Sequence, residues 1–287
     1  METTTPKPYA CIGLCVYNNE FGLPFVFENI RRMQCLFREL RIICFYDNSR
    51  DKSLEIIEKN SADLLIDLMK NKEKHVLETQ RTERIAHARN NILERIRKQY
   101  SSCDYFMMMD SNDYSCIGKI RVELLEEVLR RNYAWDSVSF DRDAGYYDTW
   151  ALSFDPYIYS FFHFDNWQVV VKSMREYFAK LLQEYKKSGD LMPVYSAFNG
   201  FAIYKTECFL DCHYSNKIRI DQFPYTILKK QMTMTNSRIV NNFSNDCEHR
   251  AFHLEAINKR NVRIRIWPES IFAKFEWELP ADCRGPA

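Results

Sequence analysis

Three times in its first 113 residues the chain ends a short apolar, β-rich run in a cluster of acidic, amide and hydroxyl side chains. Tyr9 to Val16 runs into Tyr17-Asn18-Asn19-Glu20, Arg41 to Tyr46 into Asp47-Asn48-Ser49, and Tyr105 to Met109 into Asp110-Ser111-Asn112-Asp113. Between these runs lie segments of helical spacing: Pro24 to Leu40, Leu54 to Lys59, and Arg81 to Tyr100 with Ile85, Ala88, Ile92 and Ile96 on one face. Ala62 to Met69 reads as another strand. Strands and helices alternating in this way predict an α/β fold with a mostly parallel central sheet and helices on both faces. The polar clusters then collect at the carboxyl ends of the strands, where open α/β sheets bind ligands.

The second half is less regular and rich in rings. Ile117 to Arg131 is amphipathic, Ser137 to Phe140 reads as a strand, and Val169 to Lys187 is helical. Tyr146 to Trp150, Phe154 to Phe164 and Trp167 set many aromatic side chains among Asp148, Asp155 and Asp165. Such a mixture suits a sugar, whose C–H faces stack on rings while its hydroxyls need polar partners; an aromatic core with bonded tyrosine hydroxyls is the competing reading. Met192 to Lys205 reads as a strand pair bent at Asn199-Gly200, and Val262 to Trp267 as a last strand after a helix that reaches Lys259. We expect one domain over residues 1–287, with a regular first half at about 9–115 and a less regular second half at about 116–270.

Charge and cysteine usage narrow the partners. Lys and Arg total 40 against 39 acidic residues, which leaves no basic field for a nucleic-acid backbone. Ten cysteines without a CxxC pair, several inside apolar runs, point to free thiols in a reducing compartment, so a cytoplasmic location is expected. No apolar stretch is long enough to span a bilayer, and the near-zero net charge permits a homo-oligomer.

Two clusters carry chemistry. Asp110, Asn112 and Asp113 at the end of a buried strand need a cation, donors or water. A divalent metal that also carries a diphosphate meets the need, because hard cations take oxygen ligands; a solvated turn is the bland alternative. The second cluster is Asp246-Cys247-Glu248-His249, with His253 one turn on. Asp246 can cap the following helix, His249 and His253 share a face and could ligate a metal, and Glu248 or Asp246 could act as a general base.

In order along the chain these features resemble the GT-A glycosyltransferases that use nucleotide sugars, over roughly residues 9 to 270. Cys11 to Glu20 looks like their first strand and nucleotide loop, Asp47 to Ser53 like the acidic turn after the second strand, and Asp110-Ser111-Asn112 like their DxD metal motif. Asn199-Gly200 followed by Asp246-Cys247-Glu248-His249 is similar to the glycine turn and the acidic acceptor-side element. A narrower likeness, through Tyr146 to Leu152 and Cys247-Glu248-His249, is to a subgroup found in fungal capsule mannosyltransferases and large DNA viruses. The resemblance implies a GT-A-like, Rossmann-like fold, with a nucleotide-sugar-binding half at about 9–115 and an acceptor-binding half at about 116–270, and a UDP- or GDP-sugar donor bound by Asn18, Asp47, Arg84, Arg89, Asp110, Ser111, Asn112, Asp148, Trp150, Asn199 and Gly200. It implies Mn²⁺ or Mg²⁺ at Asp110, Asn112 and Asp113 with His249, a glycan acceptor, and inversion with Glu248 ahead of Asp246 as base. Asn112 stands where the motif has its second Asp, which shifts weight onto Asp110 and Asp113. A sugar nucleotidyltransferase or a non-catalytic glycan-binding protein would share much of this pattern, whereas the histidine spacing lacks the HExxH of a zinc hydrolase.

Overall fold

A computed structural model describes residues 6–72, 80–112, 118–143, 145–240 and 244–273. Asp113 lies outside them.

The expected strands of the first half form where the apolar runs lie: β1 (Tyr9–Val16), β2 (Glu39–Tyr46), β3 (Ile66–Lys70) and β4 (Tyr105–Asp110). They pair in parallel in the order β3-β2-β1-β4, with Cys15 opposite Asp110 and Val16 opposite Tyr46. The intervening helices are α1 (Leu23–Met33), α2 (Ser53–Asn60) and α3 (Arg81–Gln99). The helical spacing from Pro24 to Leu40 overshoots, because β2 already begins at Glu39.

Further along come β5 (Lys119–Ile120), α4 (Val122–Arg130), β6 (Ser137–Asp141), α5 (Trp167–Ser188), β7 (Met192–Val194), β8 (Phe201–Lys205), α6 (Thr206–Phe209), α7 (Tyr225–Thr235), α8 (Glu248–Arg260), β9 (Ile264–Ser270) and β10 (Phe272–Ala273). The sheet continues past β4 as β8-β6-β9-β7, eight strands in all among the described residues. Here one expectation is corrected. β7 and β8 do not pair with each other: β8 runs antiparallel between β4 and β6, and β7 lies at the edge against β9. The turn signal at Asn199-Gly200 is real, with φ of 56° and 88°, but a local turn does not specify which distant strand fills each neighbouring position.

Alternate residues of the central strands bury on opposite faces. Cys11, Phe106, Met108, Ala202 and Tyr204 join one core with α3, α5 and the aromatic segment 151–164; Ile12, Leu14, Met107, Met109 and Ile203 join the other with α1 and α4. Both faces are therefore covered, as a largely parallel sheet requires. Gly13 sets how closely α3 can approach, since a Cβ there would sit 2.7 Å from Ile92 Cγ2 and 2.8 Å from Met108 Sδ. That close packing matters because α3 carries Arg84 and Arg89. No helix among the described residues is long and apolar enough to cross a membrane, and the eight described cysteines are free thiols.

Candidate functional site

A cleft of about 700 Å³ opens at the carboxyl edge of the parallel strands. Its floor is the ends of β1, β2 and β4 (Cys15, Phe45, Asp110), one wall is the first half of α3, and the other is the 147–150 loop with the start of α8. Parallel strands deliver their last side chains to one edge, so carboxylates far apart in sequence meet there.

Asp110, the last residue of β4, is held by its backbone N–H donating to the Gly200 carbonyl at 2.8 Å. Its Oδ1 accepts from Arg89 Nη2 at 3.2 Å and its Oδ2 from the Tyr147 hydroxyl at 3.3 Å. The other guanidinium nitrogen of Arg89 donates to Glu248 Oε1 and to His249 Nε2. One buried arginine thus ties the carboxylate of β4 to that of α8, and its flat face lies 4.6 Å from the centre of the Phe198 ring. Its fork of donors suits bridging two carboxylates as a lysine could not. Burial pushes the Glu248 carboxyl above its usual range, while Arg89 pulls it back. Glu248 is also the first residue of α8, where the helix dipole favours an anion.

Asp148 is held differently. Among the described residues its two oxygens accept only from backbone N–H groups, those of Ala151 at 3.2 Å and Asn199 at 3.4 Å. Burial, reinforced by Asp110, pushes its pKa from 3.8 up to about 6. Folding therefore favours the protonated form, so this contribution to stability is present below about pH 4 and is lost as the pH rises through about 6. Without added metal or nucleotide, Asp148→Asn is expected to be more stable than the parent at pH 7.5, by no more than about 3 kcal/mol, and to show no such gain at pH 4. Denaturation at the two pH values checks this; an equal difference at both would contradict it.

Several expected site residues support the cleft rather than line it. Asn18 lies in the loop after β1, and its Oδ1 accepts from Arg50 N at 2.8 Å. Asn199 is buried: its Oδ1 accepts from the N–H groups of Tyr147 and Asp148, and its Nδ2 donates to the Phe140 carbonyl. Asn199 and Gly200 therefore position the Asp148 loop and Asp110. Asp246 also lies outside the lining, with its Oδ1 accepting from Cys247 N at 2.7 Å and Arg250 Nη1 at 3.2 Å. It is not the N-cap, a position taken by Cys247.

The expected metal ligands are reordered as well. His249 is neutral, its pKa driven well down by burial and by Arg89, and its Nε2 lone pair faces the Arg89 guanidinium. His253 is a core residue bonded to Ser196 and Tyr204, its pKa pushed down to about 3. Among the described residues no group of three His, Cys, Asp or Glu is placed to hold a metal ion. Asp110 and Asn112 both line the cleft. A magnesium-class ion held by one or two carboxylates needs only such a pair, because phosphate oxygens and water supply the rest. The residues fit an ion shared with a diphosphate, not a dedicated cage.

On the far side of the cleft Asp47 accepts from Asn71 Nδ2 at 2.7 Å and Arg84 Nη2 at 2.9 Å, and Arg84 lies 4.3 Å over the Tyr17 ring. Ser111 donates to the Cys15 carbonyl and to Asn19 Oδ1, tying the β4 and β1 loops together. Trp150 lines the cleft as expected. Residues given no site role from sequence also line it: Arg81, Tyr17, Phe198 and Cys247. Arg81 was legible, since it precedes Arg84 by three residues and so shares its helix face; Phe198 was not, because only the placement of β8 brings it there.

Comparisons with known proteins agree with this architecture. The crystal structure of S. aureus TarS 1-349 aligns with a TM-score of 0.51 at 12% identity, over 92% of this chain and 59% of that one. The crystal structure of S. aureus TarS gives a TM-score of 0.51 at 14% identity, over 92% of this chain and 36% of that one. TarS 1-349 in complex with UDP gives 0.50 at 12% identity, over 92% and 59%. This chain therefore spans well under two-thirds of the length of those structures, and at these identities the likeness concerns the fold. No curated protein matches the sequence. Residues 11–205, about two-thirds of the 287, match the profile described as glycosyl transferase family 2.

Proposed function

The chain belongs to glycosyl transferase family 2, and from that premise we propose that it moves a sugar from a nucleoside-diphosphate sugar to a hydroxyl of a glycan acceptor. The observation that carries this reading is the meeting of Asp110 and Glu248 on Arg89 inside the cleft at the sheet's carboxyl edge. Its volume is that of a pocket for a small cofactor-sized ligand. A structure of the same fold was solved with UDP, which supports a nucleotide donor; the reading puts it in the β1–β2–β4 half, with Asp47 accepting from the base or ribose.

Transfer makes two demands. The diphosphate must leave with its negative charge compensated, and Asp110 with Asn112 would hold a Mn²⁺ or Mg²⁺ ion that supplies this compensation as a Lewis acid. Arg81 and Arg84 add positive charge on the α3 wall. The acceptor hydroxyl must also lose its proton. Glu248 takes it: burial raises its carboxyl above the usual range, which strengthens it as a base, while Arg89 limits that rise and is itself too basic to compete. Attack from the α8 side of the cleft as the diphosphate departs from the β4 side is a single in-line displacement, which inverts the anomeric centre.

The test is release of free nucleotide from a panel of UDP- and GDP-sugars, with manganese, with magnesium and with chelator, in the presence of a mixed glycan acceptor pool. Release from one donor that chelator suppresses at least tenfold is the expected result. Release indifferent to chelator would remove the ion from the reading. A melting-temperature response to nucleotide without any release would instead favour a binding protein.

A further inference from the structure

The wall of the cleft opposite α3 is made of two pieces distant in sequence, and one side chain joins them from behind. The 147–150 loop supplies Tyr147, Asp148 and Trp150, and the start of α8 supplies Glu248 and His249, with Cys247 just before it. Arg250, in the first turn of α8, is 1% exposed and stands outside the lining. Its two terminal nitrogens donate to the Trp150 carbonyl at 3.0 and 2.6 Å. One of them also reaches the Leu152 carbonyl at 3.4 Å, and the other donates to Asp246 Oδ1 at 3.2 Å, two residues ahead of the helix. The loop thus has two supports: Asn199, which accepts from the N–H groups of Tyr147 and Asp148 at its start, and Arg250 at its end. Stability does not account for a charge in this place. A buried ion pair is often no better for stability than apolar residues of the same volume, and Arg250 Nε is buried without an acceptor among the described residues. What the planar fork does supply is geometry, since it grips two carbonyls of the loop and a carboxylate beside the helix at once.

We propose that Arg250 is a positioning residue for sugar transfer: by tying Trp150 and Leu152 to the start of α8, it sets the gap between Glu248 and the Asp148–Trp150 loop in which the acceptor hydroxyl is oriented. Residues two apart on a helix lie about 200° apart around its axis, so Glu248 meets Arg89 in the cleft while Arg250 meets the loop behind it. The grip of Arg250 therefore fixes the rotation of α8 that aims the Glu248 carboxylate as well as the width of the gap. Arg250 touches no substrate and acts through Glu248 and Trp150. The proposal rests on the glycosyltransferase reading and goes beyond it, because turnover then depends on a side chain outside the cleft.

The experiment compares the full chain with Arg250→Lys, Arg250→Met and the double variant Arg250→Met/Asp246→Asn, which removes the ion pair as a unit and strands no buried carboxylate. Melting temperatures show which of them are folded. Transfer to the mixed glycan pool is followed against pool concentration, and binding of UDP and GDP with manganese is measured by calorimetry. Turnover of the folded methionine variants is expected to fall about a hundredfold, the scale of a 1 Å misplacement, with a higher half-saturating pool concentration, while nucleotide affinity stays within about twofold. Arg250→Lys should fall in between, because one ammonium lacks the fork. Turnover of the double variant close to that of the parent would overturn the proposal. So would nucleotide affinity that falls as steeply as turnover, which would mark a general loosening of the fold. Fluorescence reads the grip without turnover: the change in tryptophan emission caused by Arg250→Lys should disappear in a Trp150→Phe background, and a change of the same size there would also overturn the proposal. No nucleotide release by the parent from any donor would sink the transferase reading, and the fluorescence would still decide whether Arg250 holds the loop.

Discussion

Glu248→Gln is expected to lower turnover by about 10²–10⁴-fold, the usual contribution of a general base, while donor binding changes little. The amide keeps the shape of the side chain, and its oxygen still accepts from Arg89, but it cannot take a proton from the acceptor. Two other carboxylates bracket the result. Asp246→Asn should cost less activity, since Asp246 is turned to Arg250 and the Cys247 N–H and acts through the loop that Arg250 holds. Asp148, whose partners among the described residues are backbone N–H groups, is another cleft carboxylate on the wall that α8 shares. Steady-state kcat and donor KM for the three variants decide among them: Glu248→Gln within a few-fold of the parent, with Asp148→Asn collapsing, would transfer the role to Asp148.

The second large effect is on stability. Arg89→Ala removes the cation that Asp110, Glu248 and His249 share, and leaves two carboxylates facing each other in a buried site. Breaking a buried pair by deleting one partner typically costs about 3–5 kcal/mol. With the guanidinium gone, protonating a carboxylate becomes the remaining way to relieve the repulsion, so the deficit should be largest above neutrality and shrink as the pH falls towards 4. Arg89→Lys should fall in between, because a single ammonium cannot donate to both walls of the cleft at once. Chemical denaturation at pH 7.5 and pH 5 tests this. A deficit independent of pH would mean that lost packing on Phe198, not charge, accounts for the loss.

Much of the first half was legible because its information is local. An apolar run ending in Asp110-Ser111-Asn112 announces both a strand and what the strand delivers, and the spacing of Ile85, Ala88, Ile92 and Ile96 shows which face of α3 is buried. The same periodicity places Arg81 and Arg84 on one face, towards the cleft. The second half was harder. Aromatic residues between 146 and 167 read equally well as a sugar platform or a core, and the structure divides them, with Trp150 in the cleft, Trp167 at the surface and most of the rest inside. No periodicity distinguishes these, since exposure depends on which distant helix covers each ring.

By itself the sequence determined the fold class, the edge of the sheet at which polar side chains gather, and Asp110 and Glu248 as carboxylates of that edge. Strand and helix patterns depend on near neighbours, and the ends of parallel strands have only one place to go. Tertiary structure alone decided that β8 lies between β4 and β6, that Asn199 and Gly200 hold other residues in place, that Asp246 belongs to Arg250, and that His249 faces a guanidinium. Each of these is a pairing across 50 or more residues or a competition between donors for one acceptor, settled by packing geometry that no local pattern records.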